Sequence, residues 1–196
     1  MRGWYSRGYL PHCDEPGWIQ FITFRLCDFM PKEVLDTYDE ALPRKEIDEL
    51  ERMRKIERYL DKGHGACWLK RPDVAQMIVD ALLHFDGKRY RLNAWCVMPN
   101  HVHTLIETVE GHSLESVTHS WKSYTAQQAN QMLNRRGTFW QREVFDRYMR
   151  GIVHYERTRF FIEENPVAAS LVHAQAGSGG GPPALPVLSS PLGFWS

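Results

Sequence analysis

Two histidines one residue apart, His101 and His103, lie in the run Met98-Pro99-Asn100-His101-Val102-His103-Thr104-Leu105-Ile106-Glu107. The alternation from His101 to Thr108 predicts a strand, on which residues i and i+2 share a face. Both imidazoles then project to one side, and Val102 points to the other. Two imidazoles side by side on a rigid strand make half of a divalent-metal site. Two unrelated histidines would satisfy the same spacing. A further ligand has to come from elsewhere in the chain. In Phe160-Phe161-Ile162-Glu163-Glu164-Asn165-Pro166, positions 161 and 165 share a helical face. Glu164 and Asn165 are oxygen donors suited to a hard cation such as Mg²⁺ or Mn²⁺. The bland reading of that segment is a solvated acidic face closed by an Asn-Pro helix stop.

A second kind of chemistry is written between Lys122 and Arg150. The basic residues Lys122, Arg135, Arg136, Arg142, Arg147 and Arg150 are interleaved with Trp121, Tyr124, Phe139, Trp140, Phe145 and Tyr148. Cations neutralise phosphates and aromatic faces stack on unpaired bases, so the segment fits single-stranded or hairpin nucleic acid. An amphipathic helix and strand with a solvated basic side fits the charges equally.

The whole chain narrows these options little. It has 196 residues, 43% of them hydrophobic and 24% charged, with 24 basic residues against 24 acidic ones. Such a chain builds a core without staples, and its zero net charge says nothing about partners. No apolar run is long enough to span a membrane, and the first residues do not read as a secretory signal. Cys13, Cys27, Cys67 and Cys96 are widely spaced, without a CxxC pair. This disfavours a disulfide framework or a zinc ribbon and fits a reducing cytoplasm.

The elements that must position these groups follow from periodicity. Residues 1–17 read as irregular. Trp18 to Leu26, aromatic and β-branched, predicts a buried strand. Helices are expected from Pro31 to Leu42, from Arg44 to Leu60 (a charged, exposed helix) and from Pro72 to Phe85. Arg89 to Met98 alternates as a strand, with Tyr90, Leu92, Ala94, Cys96 and Met98 on one side, and forms a hairpin with the histidine strand. A helix capped at Ser113 runs to about Asn134. Phe139 to Met149 reads as a strand. Val153 to Glu164 is a helix that stops before Pro166, with a second short one from Pro166 to Val172. This order predicts an α+β domain over residues 1–173, an antiparallel sheet with helices packed on it. Residues 174–196, rich in Gly, Pro and Ser, read as a disordered tail.

Taken together, several segments resemble the REP-associated tyrosine transposases, which are HUH single-tyrosine transposases of the IS200-like kind. They are Trp95-Cys96-Val97-Met98-Pro99-Asn100-His101-Val102-His103, His119-Ser120-Trp121-Lys122-Ser123-Tyr124-Thr125-Ala126, Phe139-Trp140-Gln141-Arg142-Glu143, Asp146-Arg147-Tyr148 and Ile162-Glu163-Glu164-Asn165-Pro166-Val167. Arg7-Gly8-Tyr9-Leu10-Pro11-His12, Phe21 to Leu26 and Gly63 to Leu69 resemble one branch of that family. The resemblance spans about residues 5–172.

It implies a ferredoxin-like sheet with the histidine pair on a central strand. It also implies a divalent metal held by His101, His103 and, by position, Asn165. The expected substrate is single-stranded or hairpin DNA near repetitive palindromes, cleaved and rejoined through a 5′-phosphotyrosine link. The nucleophilic tyrosine of the family falls at position 161, where this chain has Phe161. The chain is then a natural copy that lost cleavage and kept hairpin DNA or RNA binding, or a deliberate Tyr-to-Phe variant made to trap a DNA complex, or it uses another tyrosine. Tyr148 is the first candidate substitute and Tyr124 a weaker one, while helical geometry turns Tyr155 away from position 161. Whether the protein is a monomer or a dimer is not legible in the sequence.

Overall fold

The computed structural model describes residues 4–6, 11–13, 17–41, 44 and 49–168. The predicted tail at 174–196 and the last part of the second short helix lie outside the described residues.

Two short strands, β1 (Trp4–Ser6) and β2 (Pro11–Cys13), pair antiparallel within the stretch expected to be irregular. Pro11 occupies the first position of its strand, where a missing N–H is tolerated. Then come β3 (Ile19–Arg25), α1 (Lys32–Ala41), α2 (Glu49–Asp61), a 3₁₀ turn (Trp68–Lys70), α3 (Pro72–Leu83), β4 (Tyr90–Val97), β5 (His101–Thr108), α4 (Leu114–Met132), β6 (Phe145–Tyr148) and α5 (Ile152–Ala168). The main sheet has the order β4-β5-β3-β6, all antiparallel. This β-α-β-β-α-β arrangement is ferredoxin-like, and it places the histidine strand and β3 at the centre.

The two faces of the sheet have different covers. Ile22, Phe24, Val102 and Ile106 pack with Val74, Ile78 and Leu82 of α3 and Val117 and Trp121 of α4 in the larger core. Buried polar ends are satisfied there: Tyr90 Oη donates to the Leu82 carbonyl at 2.7 Å and accepts from Trp121 Nε1 at 2.9 Å. On the other face Phe21, Leu105, Cys96 and Phe145 pack with Ile162 of α5. A third, smaller cluster joins α1 and α2 through Phe29, Met30, Ile56 and Leu60.

Three departures from the periodicity have physical causes. β4 does not alternate cleanly, because the register with β5 shifts between Leu92 and Ala94. Such a bulge inverts side-chain parity. Tyr90 therefore joins the α3–α4 core, while Ala94 and Cys96 join the α5 core. The strand expected from Phe139 is regular only over Phe145–Tyr148. Lys122 Nζ draws off the carbonyls of Gln141 and Arg142 at 2.7 Å each, which removes them from a ladder. Finally, α5 continues through Pro166 to Ala168 as one helix. Pro166 lies in the last turn, so the ladder forgoes a single bond there, the one to the Ile162 carbonyl.

The turn between α2 and α3 has no room for a side chain at one position. Gly65 has φ +86°, and a Cβ there would stand 2.5 Å from the Asp28 carbonyl oxygen. Asp28 Oδ2 accepts from Ala66 N at 2.9 Å beside it. Gly65→Ala is expected to lower stability by about 1–3 kcal/mol, read as a fall in thermal midpoint; an unchanged midpoint would show that the turn yields freely.

Candidate metal centre

The site begins at Asn100, the residue before β5. Its side-chain Nδ2 donates to the carbonyls of Leu60 (3.3 Å) and His64 (3.0 Å), which ties the end of α2 to the start of the histidine strand. With the amide nitrogen fixed there, Oδ1 faces His101 Nδ1 at 2.8 Å. An amide oxygen only accepts, so His101 Nδ1 carries the proton and Nε2 carries a lone pair. On the facing strand, Thr23 Oγ1 lies 2.8 Å from His103 Nδ1. The register sets Thr23 opposite His103 and Arg25 opposite His101, so these four side chains share one face. The two Nε2 atoms are 3.0 Å apart.

Both histidines are fully buried. Burial pushes His101 well below the usual imidazole range, with His103 and then the Arg25 guanidinium adding to the shift. His103 is lowered to about 3, again by burial first and Arg25 second. Neutral imidazoles are the form that binds a cation.

The donor set fits a divalent ion. A lone pair on His101 Nε2 directed at a second imidazole nitrogen needs a proton or a cation between them. Adjacent ligands about an octahedral ion with ~2.1 Å bonds are about 3.0 Å apart. Asn165, 2% exposed, has neither Oδ1 nor Nδ2 hydrogen-bonded among the described residues. A buried amide left so is costly unless a ligand engages it.

Phe161 lies one helical turn before Asn165 on α5. Its ring meets His103 edge-on at 5.4 Å and Phe21 at 6.2 Å, so position 161 does stand at the histidine pair. Tyr148 does not. It pairs with Gln20, whose side chain points to the sheet face opposite Thr23 and His103. Its ring packs against Trp18 at 4.9 Å. Tyr148 is thus corrected as a substitute nucleophile: strand parity sends it to the wrong face. Tyr124 is exposed on α4, on that same wrong side. Tyr155 packs on the sheet-facing cluster with Phe161, contrary to the expectation that it turns away, yet it lies about 9 Å up the helix from position 161.

The basic residues do not form one strip. Lys122 secures the carbonyls of the 141–142 segment, and Arg135 Nη2 donates to the Thr138 carbonyl at 3.0 Å with its guanidinium 5.6 Å from the Phe139 ring. Arg136, Arg142 and Arg150 are exposed, Arg150 lying 5.7 Å from the Tyr148 ring. Arg147, half-buried, stands opposite Phe21 and so on the histidine face. A groove of about 420 Å³ lined by His119, Lys122, Ser123 and Arg142 lies on the α4 side of the sheet.

Sequence reasoning missed Thr23, Arg25 and the orienting role of Asn100. Thr23 and Arg25 are polar residues two apart in a mostly apolar strand, a signal that was available. It also missed Glu57 of α2, which nothing in its exposed-looking helix marks.

Residues 74–165 match the family described as IS200-like transposases. That stretch is just under half of the chain. The matched stretch contains β4, the histidine strand, α4, β6 and α5 as far as Asn165. Among solved structures the chain is similar to a REP-associated tyrosine transposase bound to a REP hairpin, at 19% identity and TM-score 0.46, over 83% of this chain and 72% of that one. It is also similar to a candidate transposase from Deinococcus radiodurans R1, at 14% identity and TM-score 0.32, over 82% of this chain and 95% of that one. No curated protein matches the chain. No described helix is long and apolar enough to cross a membrane.

Proposed function

We propose that this chain is an IS200-like transposase that binds single-stranded or hairpin DNA at a divalent-cation site built on His101, His103 and Asn165, and that it stops before strand cleavage. The observation that carries the reading is the 3.0 Å approach of two buried imidazole nitrogens, one of them held as a lone pair by Asn100. Mg²⁺ or Mn²⁺ bound there supplies positive charge to a phosphodiester oxygen. The protein's own part is to orient the imidazoles through Asn100 and Thr23, to keep them neutral, and to exclude water around them. Phe161 stands where the attacking phenol of the family falls. It offers no oxygen, so no phosphotyrosine forms. Exposed Arg136, Arg142 and Arg150 supply cations for the DNA backbone.

Wild-type protein is expected to shift a labelled hairpin oligonucleotide with a single-stranded flank on a native gel in Mn²⁺. It should leave no covalent band on a denaturing gel. A covalent band would mean that another tyrosine serves, and absence of a shift would sink the DNA reading. Affinity should also fall with salt, with a log–log slope of about 0.7–0.9 per phosphate engaged; a flat response would exclude the exposed arginines as the contact surface.

A further inference from the structure

The histidine face has a third element over it, and the family match does not reach it. Glu57 belongs to α2, before residue 74. Its side chain is 12% exposed. One carboxylate oxygen lies 3.8 Å from His103 Nε2 and the other 3.8 Å from Arg25 Nη2. Both separations exceed a good hydrogen bond and lie within ion-pair reach. Glu57, His101 and His103 each present a ligand atom within 4.8 Å of the others.

Two of these groups, His101 Nε2 and the Glu57 carboxylate, offer acceptor atoms only. Asn100 forces the lone pair onto His101 Nε2, a carboxylate oxygen carries only lone pairs at neutral pH, and a neutral His103 brings one proton at most. Lone pairs facing one another in a water-poor interior repel unless a proton or a positive charge lies among them. Two imidazoles with one carboxylate are a known donor combination for divalent metals.

We propose that Glu57 is a ligand of the cation, supplied by α2, so that binding of the ion fastens α2 across the histidine face. This rests on the metal reading above. It makes the site an assembly of three elements, β5, α5 and α2. The attachment also has a route to act through, because Asn100 already ties the last turn of α2 to His101.

The test is Mn²⁺ titration by calorimetry on the full chain. Glu57→Gln is expected to weaken Mn²⁺ by at least about 10-fold. Added Mn²⁺ should slow hydrogen exchange of the α2 amides in wild type and leave them unchanged in Glu57→Gln. Should loss of the Arg25 partner unfold that variant, the double variant Arg25→Gln/Glu57→Gln removes both charges and is expected to show the same loss of affinity. Glu57→Gln binding Mn²⁺ as wild type does, while His101→Ala binds none, would overturn the Glu57 role and leave the histidine site standing. Wild type that binds no Mn²⁺ would overturn both.

Discussion

Phe161→Tyr is expected to make the chain form a covalent protein–DNA adduct that the present sequence does not form. The ring at 161 already touches His103 at 5.4 Å and Phe21 at 6.2 Å, and position 161 is half-buried. A phenol therefore enters with its ring packing preserved and adds one oxygen beside the imidazoles. In the reaction the tyrosine oxygen bonds to phosphorus, the bond from phosphorus to the 3′ oxygen breaks, the phenolic proton goes to solvent and the leaving oxygen takes one up. The products are a 5′-phosphotyrosine and a free 3′-hydroxyl. The readout is a slow-migrating labelled band on a denaturing gel in Mn²⁺, absent from wild type. The change is from none to detectable, because Tyr155, which packs on the same face, lies about 9 Å up the helix from position 161. If Phe161→Tyr binds the hairpin as wild type does and still gives no band, the assignment of position 161 as the nucleophile position fails.

Acid is expected to destabilise the metal-free protein sharply. His101 and His103 are held neutral in the folded chain, His101 well below its ordinary value and His103 down to about 3. In the unfolded chain both titrate near 6.5. Between those values the unfolded state binds protons that the folded state refuses. Stability then falls as pH drops through 6.5 and keeps falling until the folded values are reached. At pH 5 the loss is about 2 kcal/mol for each histidine, about 4 kcal/mol together. That is a large part of the 5–15 kcal/mol typical of a domain. Half-buried His154, also lowered, chiefly by burial, adds in the same direction. Urea unfolding in chelator at pH 7, 6 and 5 measures it. A midpoint that does not move between pH 7 and 5 would mean that the folded chain accepts these protons, and the neutral-imidazole account would be lost. The same protonation expels a cation, so Mn²⁺ affinity should fall over the same range.

The parts of the site that were legible in the sequence are those in which neighbours in the chain are neighbours in space. His101, Val102 and His103 alternate on one strand, and the register bears that alternation out: His101 and His103 face Arg25 and Thr23. Phe161 and Asn165 are one helical turn apart, and both turn inward. Where a local rule was interrupted by a distant group, the reading failed. The β4 bulge inverts a pattern that looked continuous. Lys122, nineteen residues from Gln141, dissolves the first half of a strand. Pro166 was read as a stop because the packing of Ile162 and Asn165 against the sheet was out of view.

The sequence by itself determined the strand that carries the two imidazoles, the α+β class of the chain and the phenylalanine at 161, because periods of 2 and 3.6 and the identity of one side chain are local properties. Only the tertiary structure decided that Tyr148 points away from the histidines, that Asn100 selects the tautomer of His101, and that Glu57 and Arg25 stand at the pair. Those depend on strand register and on how a helix inserted between two strands folds back over the sheet. Such long-range closure is settled by the sum of many weak packing terms, and no residue spacing along the chain records it.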